Sequence, residues 1–231
     1  MTTCIPDSKQ FFTIDELKRL GLSLYKINQL VNNNTLVKLN KKMYENTGYT
    51  GERSDFTRIA AYIPNGVICL MSAARYHGLT SSVSDTVDIA IERTMKISTF
   101  PDHPPVKVWY FSKERYLSNF SFSEDITGKF KIYSIERTVI DIIHHRNQIG
   151  TEETKKILKN YLVRTGGNVF LLRKYADQLR CRKLLDTYLE MVLLIILDSE
   201  YSKCKTEQLT DYDKACYLII SMVGLFLVLN I

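Results

Sequence analysis

The chain lacks most of the patterns that announce a chemistry. Its five cysteines, Cys4, Cys69, Cys181, Cys204 and Cys216, are odd in number and widely spaced, and no CxxC occurs. That argues against a disulfide framework and a structural zinc site, and fits reduced thiols in a cytoplasm. The four histidines, His77, His103, His144 and His145, fall in no metal-binding spacing. No Walker loop, GxSxG or GxGxxG is present, so no metal, cofactor or small-molecule substrate is expected. No internal repeat and no low-complexity run interrupts the chain. Met1 to Asp7 has no basic stretch leading into an apolar one, so no signal peptide is expected there. The most apolar stretch, Ala215–Leu229, has fifteen residues. As a helix it would span about 22 Å, against roughly 30 Å of bilayer hydrocarbon. It is expected to dock on the helical part or to drive self-association, and no membrane partner is expected.

What remains is globular in character. The 231 residues are 45% apolar and 24% charged, with 31 basic against 25 acidic side chains, a net charge of +6. That length suits one or two domains with a real core, and that charge tolerates nucleic acid without demanding it. Three regions differ in texture. Residues 1–47 are polar with short helical and strand patterns, residues 53–197 mix strands and helices, and residues 198–231 form an atypical apolar tail. Asn46-Thr47-Gly48-Tyr49-Thr50-Gly51-Glu52-Arg53-Ser54 is a linker candidate between the first two.

The clearest constellation lies in residues 11–46. Thr13 and Glu16 have capping-box spacing, and Phe12 with Leu17 has the spacing of a hydrophobic staple. Gly21 is placed to end that helix. Ser23 caps a second helix with an apolar face of Leu24, Ile27, Leu30 and Val31. Its outward residues, Tyr25, Lys26, Asn28, Gln29 and Asn32, include no acid, so they suit phosphates and base edges. Leu36-Val37-Lys38-Leu39 and Met43-Tyr44-Glu45 then read as two short strands joined by a basic tip, Asn40-Lys41-Lys42. Helix, turn, helix and basic hairpin make a winged helix-turn-helix pattern. On this reading Ser23, Tyr25, Lys26, Asn28, Gln29, Lys38, Lys41 and Lys42 contact duplex DNA. The same spacing also serves protein contacts in other helix-turn-helix units, and lysines also cover solvated surfaces.

Further on, the spacing predicts a helix over 53–63, a short apolar run at Val67–Leu70, and one or two helical turns from Ser72 stopped by Gly78. Thr86 to Ile91 alternates polar and apolar residues, the period of a half-buried strand. Val106–Phe111 and Lys131–Tyr133 read as strands. Helices are predicted from Ser134 to His145, from a cap at Thr151 to Gly166-Gly167, and over 168–178 and 183–197. The fold class expected is α+β: a winged helix, then a larger mixed α/β domain with a helical C-terminal part.

Several stretches resemble the AbiEi-type antitoxin family. They are Gly66 to Thr80, Val87 to Arg93, Ile135-Glu136-Arg137-Thr138-Val139-Ile140-Asp141 with His144 to Gly150, Leu172 to Arg180, and Tyr188-Leu189-Glu190. The resemblance runs in order from about residue 10 to 195. It implies an N-terminal winged helix that binds operator DNA and represses its operon. It also implies a larger domain that counters a nucleotidyltransferase-like toxin of an abortive-infection system without a stable complex. The protein is then no enzyme, and cytoplasmic. Two departures stand out: family members often carry glycine at the wing turn, where this chain has Lys41-Lys42-Met43-Tyr44, and the tail beyond 197 is not covered. Loss of the glycine predicts a longer or strained turn.

In the larger domain Arg75, Arg137, Asp141 and Arg146 are the antitoxin candidates. Arg137 and Asp141 are four apart on one helix, so a structural ion pair competes with contact to RNA or nucleotide. Lys155, Lys156, Lys159 and Arg164, followed by Arg173, Lys174, Arg180, Arg182 and Lys183, offer a polyanion-facing or simply solvated surface. The alternatives in other classes are a winged-helix-targeted nuclease using Asp88 and Glu92, which lacks the lysine such a site needs, and an adaptor tethered to membrane by the tail.

Overall fold

Local signals build the first elements of the computed structural model, which describes residues 5–125, 128–163 and 167–206, the last ten as helical backbone only. Thr13 ends strand β1 (Phe11–Thr13) and caps helix α1 (Ile14–Arg19). Its hydroxyl accepts from Glu16 N at 3.2 Å, and the Glu16 carboxylate accepts from Thr13 N at 2.8 Å. This is the reciprocal capping box. Gly21, at φ +82°, closes the helix. Leu22 N donates to Leu17 O at 3.1 Å and Gly21 N to Lys18 O at 2.9 Å, the paired bonds of a Schellman motif. Ser23 caps α2 (Leu24–Asn32), which ends the same way with Asn34 at φ +56°.

Strands β2 (Leu36–Lys38) and β3 (Met43–Asn46) pair antiparallel, and β1 pairs with the other edge of β3, giving the order β1-β3-β2. Phe12, Leu17, Leu22, Ile27, Leu36 and Tyr44 form one buried cluster, so the Phe12–Leu17 staple and the matching Leu22–Ile27 pair across the Ser23 cap both end in it. Each fully buried side chain of this size contributes roughly 1.5–3 kcal/mol. Leu24 departs from expectation at 54% exposed. It sits at the first helical position, beyond the cluster, which α2 enters through Ile27, Leu30 and Val31.

The turn between β2 and β3, expected to be longer or strained, runs from Leu39 to Lys42 without strained backbone. Asn40 caps it: its Oδ1 accepts from Lys42 N at 2.9 Å and Met43 N at 3.1 Å, and its Nδ2 donates to Ala61 O at 2.9 Å. A side chain that caps the turn removes the need for a left-handed residue, and none occurs between Leu39 and Met43.

The described residues fall into two compact units, one drawn from Met1–Ser72 and Val83–Tyr133, the other from Ala73–Ser82 and Ser134–Ile231. The first unit adds helix α3 (Asp55–Tyr62) and a five-stranded sheet of β4 (Val67–Ile68), β5 (Val87–Glu92), β6 (Val106–Phe111), β7 (Phe120–Asp125) and β8 (Gly128–Tyr133). The strand order is β6-β5-β4-β8-β7. Only Cys69 separates the end of β4 at Ile68 from helix α4 (Leu70–Tyr76), and α5 (Lys113–Leu117) follows β6. Strand β5 is buried on both faces instead of one. Asp88 is tolerated there because Trp109 Nε1 donates to it at 2.9 Å and Ser72 Oγ at 3.4 Å. Within this unit buried Glu45 on β3 accepts from Gln10 Nε2 at 2.9 Å and from Arg58 Nη2 on α3 at 3.3 Å.

The second unit is helical: part of α4, then α6 (Ile135–His144), α7 (Arg146–Ile149), α8 (Thr151–Val163), α9 (Val169–Gln178) and α10 (Arg182–Thr206). Gly78, at φ +66°, stops α4 with another Schellman pair, Leu79 N to Ala74 O and Gly78 N to Arg75 O. Residues Arg137 to Ile143 of α6 are all buried, and α8, α9 and α10 pack around that helix. Thr151 is the first residue of α8 instead of its cap. Gly150, at φ +103°, precedes it, and its carbonyl accepts from both N and Oγ1 of Thr154. Tyr161 bonds Glu136 Oε1 at 3.3 Å and takes the Asn168 amide at 2.7 Å. Burial, first of all, raises its hydroxyl well above the ordinary tyrosine range. Helix α10 runs past residue 197 to Thr206. The run Ala215–Leu229, Arg164 and Gly166 lie outside the described residues. Among the described residues no helix is long and apolar enough to cross a membrane. The architecture is mixed α+β.

Candidate nucleic-acid interface

Ser23, Tyr25, Lys26 and Asn28 on α2 are exposed, as are Lys38 at the end of β2 and Lys41 and Lys42 in the turn, while Gln29 is half-buried. Tyr25 is 73% exposed, unusual for so large a ring. Gln29 Nε2 donates to Tyr25 Oη at 3.1 Å. That bond holds the amide plane by one of its two N–H groups, leaving the other N–H and Oε1 for a base edge. Ser23 Oγ accepts from Lys26 N at 3.3 Å, and no acid lies in the first turn of α2. The remaining first-turn amides therefore face no competing carboxylate.

A wider charge pattern, overlooked when the motifs were read one by one, is plain in the sequence. From Leu17 to Tyr44 there is no Asp or Glu, while Lys18, Arg19, Lys26, Lys38, Lys41 and Lys42 fall in the same stretch. The acids that bound it are both engaged. Glu16 pairs with Lys9 at 2.7 Å, and Glu45 with Arg58 at 3.2 Å. The Lys9 hydrogen bond, with the Thr13 amide, holds the Glu16 carboxyl down at about 2.

The antitoxin candidates are scattered in character. Arg137 and Asp141 are both 0% exposed and joined Nε to Oδ2 at 2.8 Å, so they sit inside the helical core. Arg75 and Arg146 are half-buried. The basic residues further along do not form one face. Lys155 pairs with Glu152, Arg173 is buried beside Asp186, and Arg182 pairs with Asp177 and Asp186. Lys159 is half-buried, whereas Lys156, Lys174, Arg180 and Lys183 are exposed. Asp186 follows Arg182 by four residues on α10, a spacing legible in the sequence, whereas Asp177 comes from α9 and is not.

Asp88 is engaged by Trp109 and Ser72, and Glu92 accepts from Thr94 Oγ1 at 3.0 Å. Among the described residues no group of three His, Cys, Asp or Glu is placed to hold a metal ion. No protein-family model matches the chain, and no curated protein matches it.

Proposed function

We propose that residues 1–47 form a winged helix-turn-helix that binds double-stranded operator DNA. In this reading α2 enters the major groove, Tyr25 and Gln29 read bases, and Lys26, Lys38, Lys41 and Lys42 meet phosphates. The observation that carries it is the acid-free stretch Leu17–Tyr44, whose lysines on α2 and on the β2–β3 hairpin are all exposed. The strand order β1-β3-β2 with α1 and α2 between β1 and β2 supports the same reading, since a wing needs a hairpin braced by a third strand.

The larger proposal, that the protein is the repressor and antitoxin of a cytoplasmic abortive-infection system, rests on the motif resemblance above. It makes the rest of the chain the part that counters a nucleotidyltransferase-like toxin, without a stable complex. Two experiments separate the levels. Fluorescence anisotropy with duplex upstream of the gene tests DNA binding. Co-expression with the product of the adjoining gene tests protection. Binding without protection would leave a DNA-binding protein and remove the antitoxin.

A further inference from the structure

The helical unit holds a cleft of about 550 Å³. Arg146, Arg180, Arg182 and Lys183 line it, with Asp177 and His144 beside them. They come from the end of α6, the start of α7, the end of α9 with the turn that follows it, and the start of α10. The turn between α9 and α10 is closed by Arg180 N to Asp177 O at 3.1 Å and Cys181 N to Ala176 O at 2.9 Å, with Arg180 at φ +55°. Glycine or asparagine would occupy that left-handed position at lower cost, yet the position carries a guanidinium.

The charges of the cleft do not cancel. Arg182 lies 3.0 Å from Asp177 and 3.0 Å from Asp186, which neutralise it. Arg146, Arg180 and Lys183 have no carboxylate at ion-pair distance among the described residues. Three cations left over at one concavity favour an anion with several charged oxygens, because guanidinium groups bind phosphoryl oxygens bidentately. A volume of this size is that of a small-molecule site, where roughly 300–1,000 Å³ is usual. A duplex backbone would not fill it. The His144 ring and Leu184 add the flat and apolar surface that a base requires.

We propose that this cleft binds a free nucleotide of mononucleotide size through its phosphoryl groups. Arg146, Arg180 and Lys183 hold the phosphoryl oxygens, and Arg182 is kept in place by its two aspartates. The site is separate from the DNA-binding reading and does not depend on it.

Titration calorimetry of the full chain with ATP, GTP, CTP and UTP in turn, and with inorganic tripolyphosphate, tests the assignment. At least one nucleotide should bind at a single site and more tightly than tripolyphosphate. Lys183→Glu should weaken that binding by about tenfold or more, as expected when a charge-assisted bond is lost. Arg180→Gly should weaken it too while keeping the turn, so its melting temperature serves as the check on folding. Lys41→Glu with Lys42→Glu, in the other unit, should leave nucleotide binding unchanged even where duplex binding fails. Absence of binding by all four nucleotides would overturn the proposal. So would tripolyphosphate binding as tightly as nucleotide, or nucleotide binding indifferent to both Arg180→Gly and Lys183→Glu.

Discussion

The first 47 residues and the helical unit treat charge in opposite ways. In the first, the lysines of α2 and the β2–β3 hairpin stand exposed, and the two acids that bound the acid-free stretch are tied off: Glu16 by Lys9, Glu45 by Arg58. In the second, the most conspicuous charged pair, Arg137 and Asp141, is fully buried and joined to each other, and Arg182 is held by Asp177 and Asp186. The same residue types thus stand exposed in one place and are packed in the other.

Substitutions that exchange the two behaviours should show this, and the largest effect belongs to the buried pair. Asp141→Asn leaves a guanidinium uncompensated in the core and should cost about 3–5 kcal/mol of stability by denaturant titration. Lys41→Glu on the exposed turn should shift stability by no more than about 0.5 kcal/mol. Comparable losses from both would erase the contrast. Glu45 is the intermediate case, since it sits in the segment proposed to bind DNA but is buried against Arg58. Glu45→Ala should cost about 2 kcal/mol, in the range for a hydrogen bond to a charged group, without changing the salt dependence of duplex binding.

Smaller effects sharpen the comparison. Gln29→Ala should lower discrimination between operator and unrelated duplex by about 1–3 kcal/mol and leave non-specific affinity almost unchanged. Tyr25→Phe, which keeps the ring but removes the hydroxyl that holds Gln29, should lose part of the same discrimination. Thr13→Ala removes the cap of α1 and should cost about 1 kcal/mol. The acid response is smaller still. Glu16 has a folded pKa of about 2, against 4.5 for the ordinary side chain. Its contribution is therefore present above pH 4.5 and is lost as pH falls from 4.5 towards 2. Because the Lys9 pair is largely exposed, the effect is a fraction of a kcal/mol. Glu16→Gln should remove that part of the acid limb of the stability curve.

Much of the N-terminal structure was legible because its signals are local. Thr13, Glu16, Gly21 and Ser23 act within one turn of their own positions, and the staples Phe12–Leu17 and Leu22–Ile27 are five residues apart. The absence of strain in the turn at Leu39–Lys42 was less legible, because its cap, Asn40, is held partly by the Ala61 carbonyl on α3. Strand β5 was misread as half-buried for a similar reason: the partners of Asp88 are Ser72 and Trp109, both distant in sequence. Strands β1 and β7 and helix α5 went unpredicted, as short elements carry too few residues to show a period. In the candidate sites, exposure on α2 followed from amphipathic spacing. The cleft at Arg146, Arg180 and Lys183 did not, because it joins α7 to the α9–α10 turn.

The central claim is that exposed lysines of an acid-free stretch bind duplex DNA. It is tested most directly by measuring affinity for upstream duplex across a salt series, for the full chain and for a variant with Lys26, Lys38, Lys41 and Lys42 all changed to Glu. Roughly four phosphate contacts predict a slope of log K against log salt of about −3 to −4 for the natural chain. The variant should show no measurable duplex binding while keeping its melting temperature. A slope near zero, or affinity retained by the folded variant, would contradict the account.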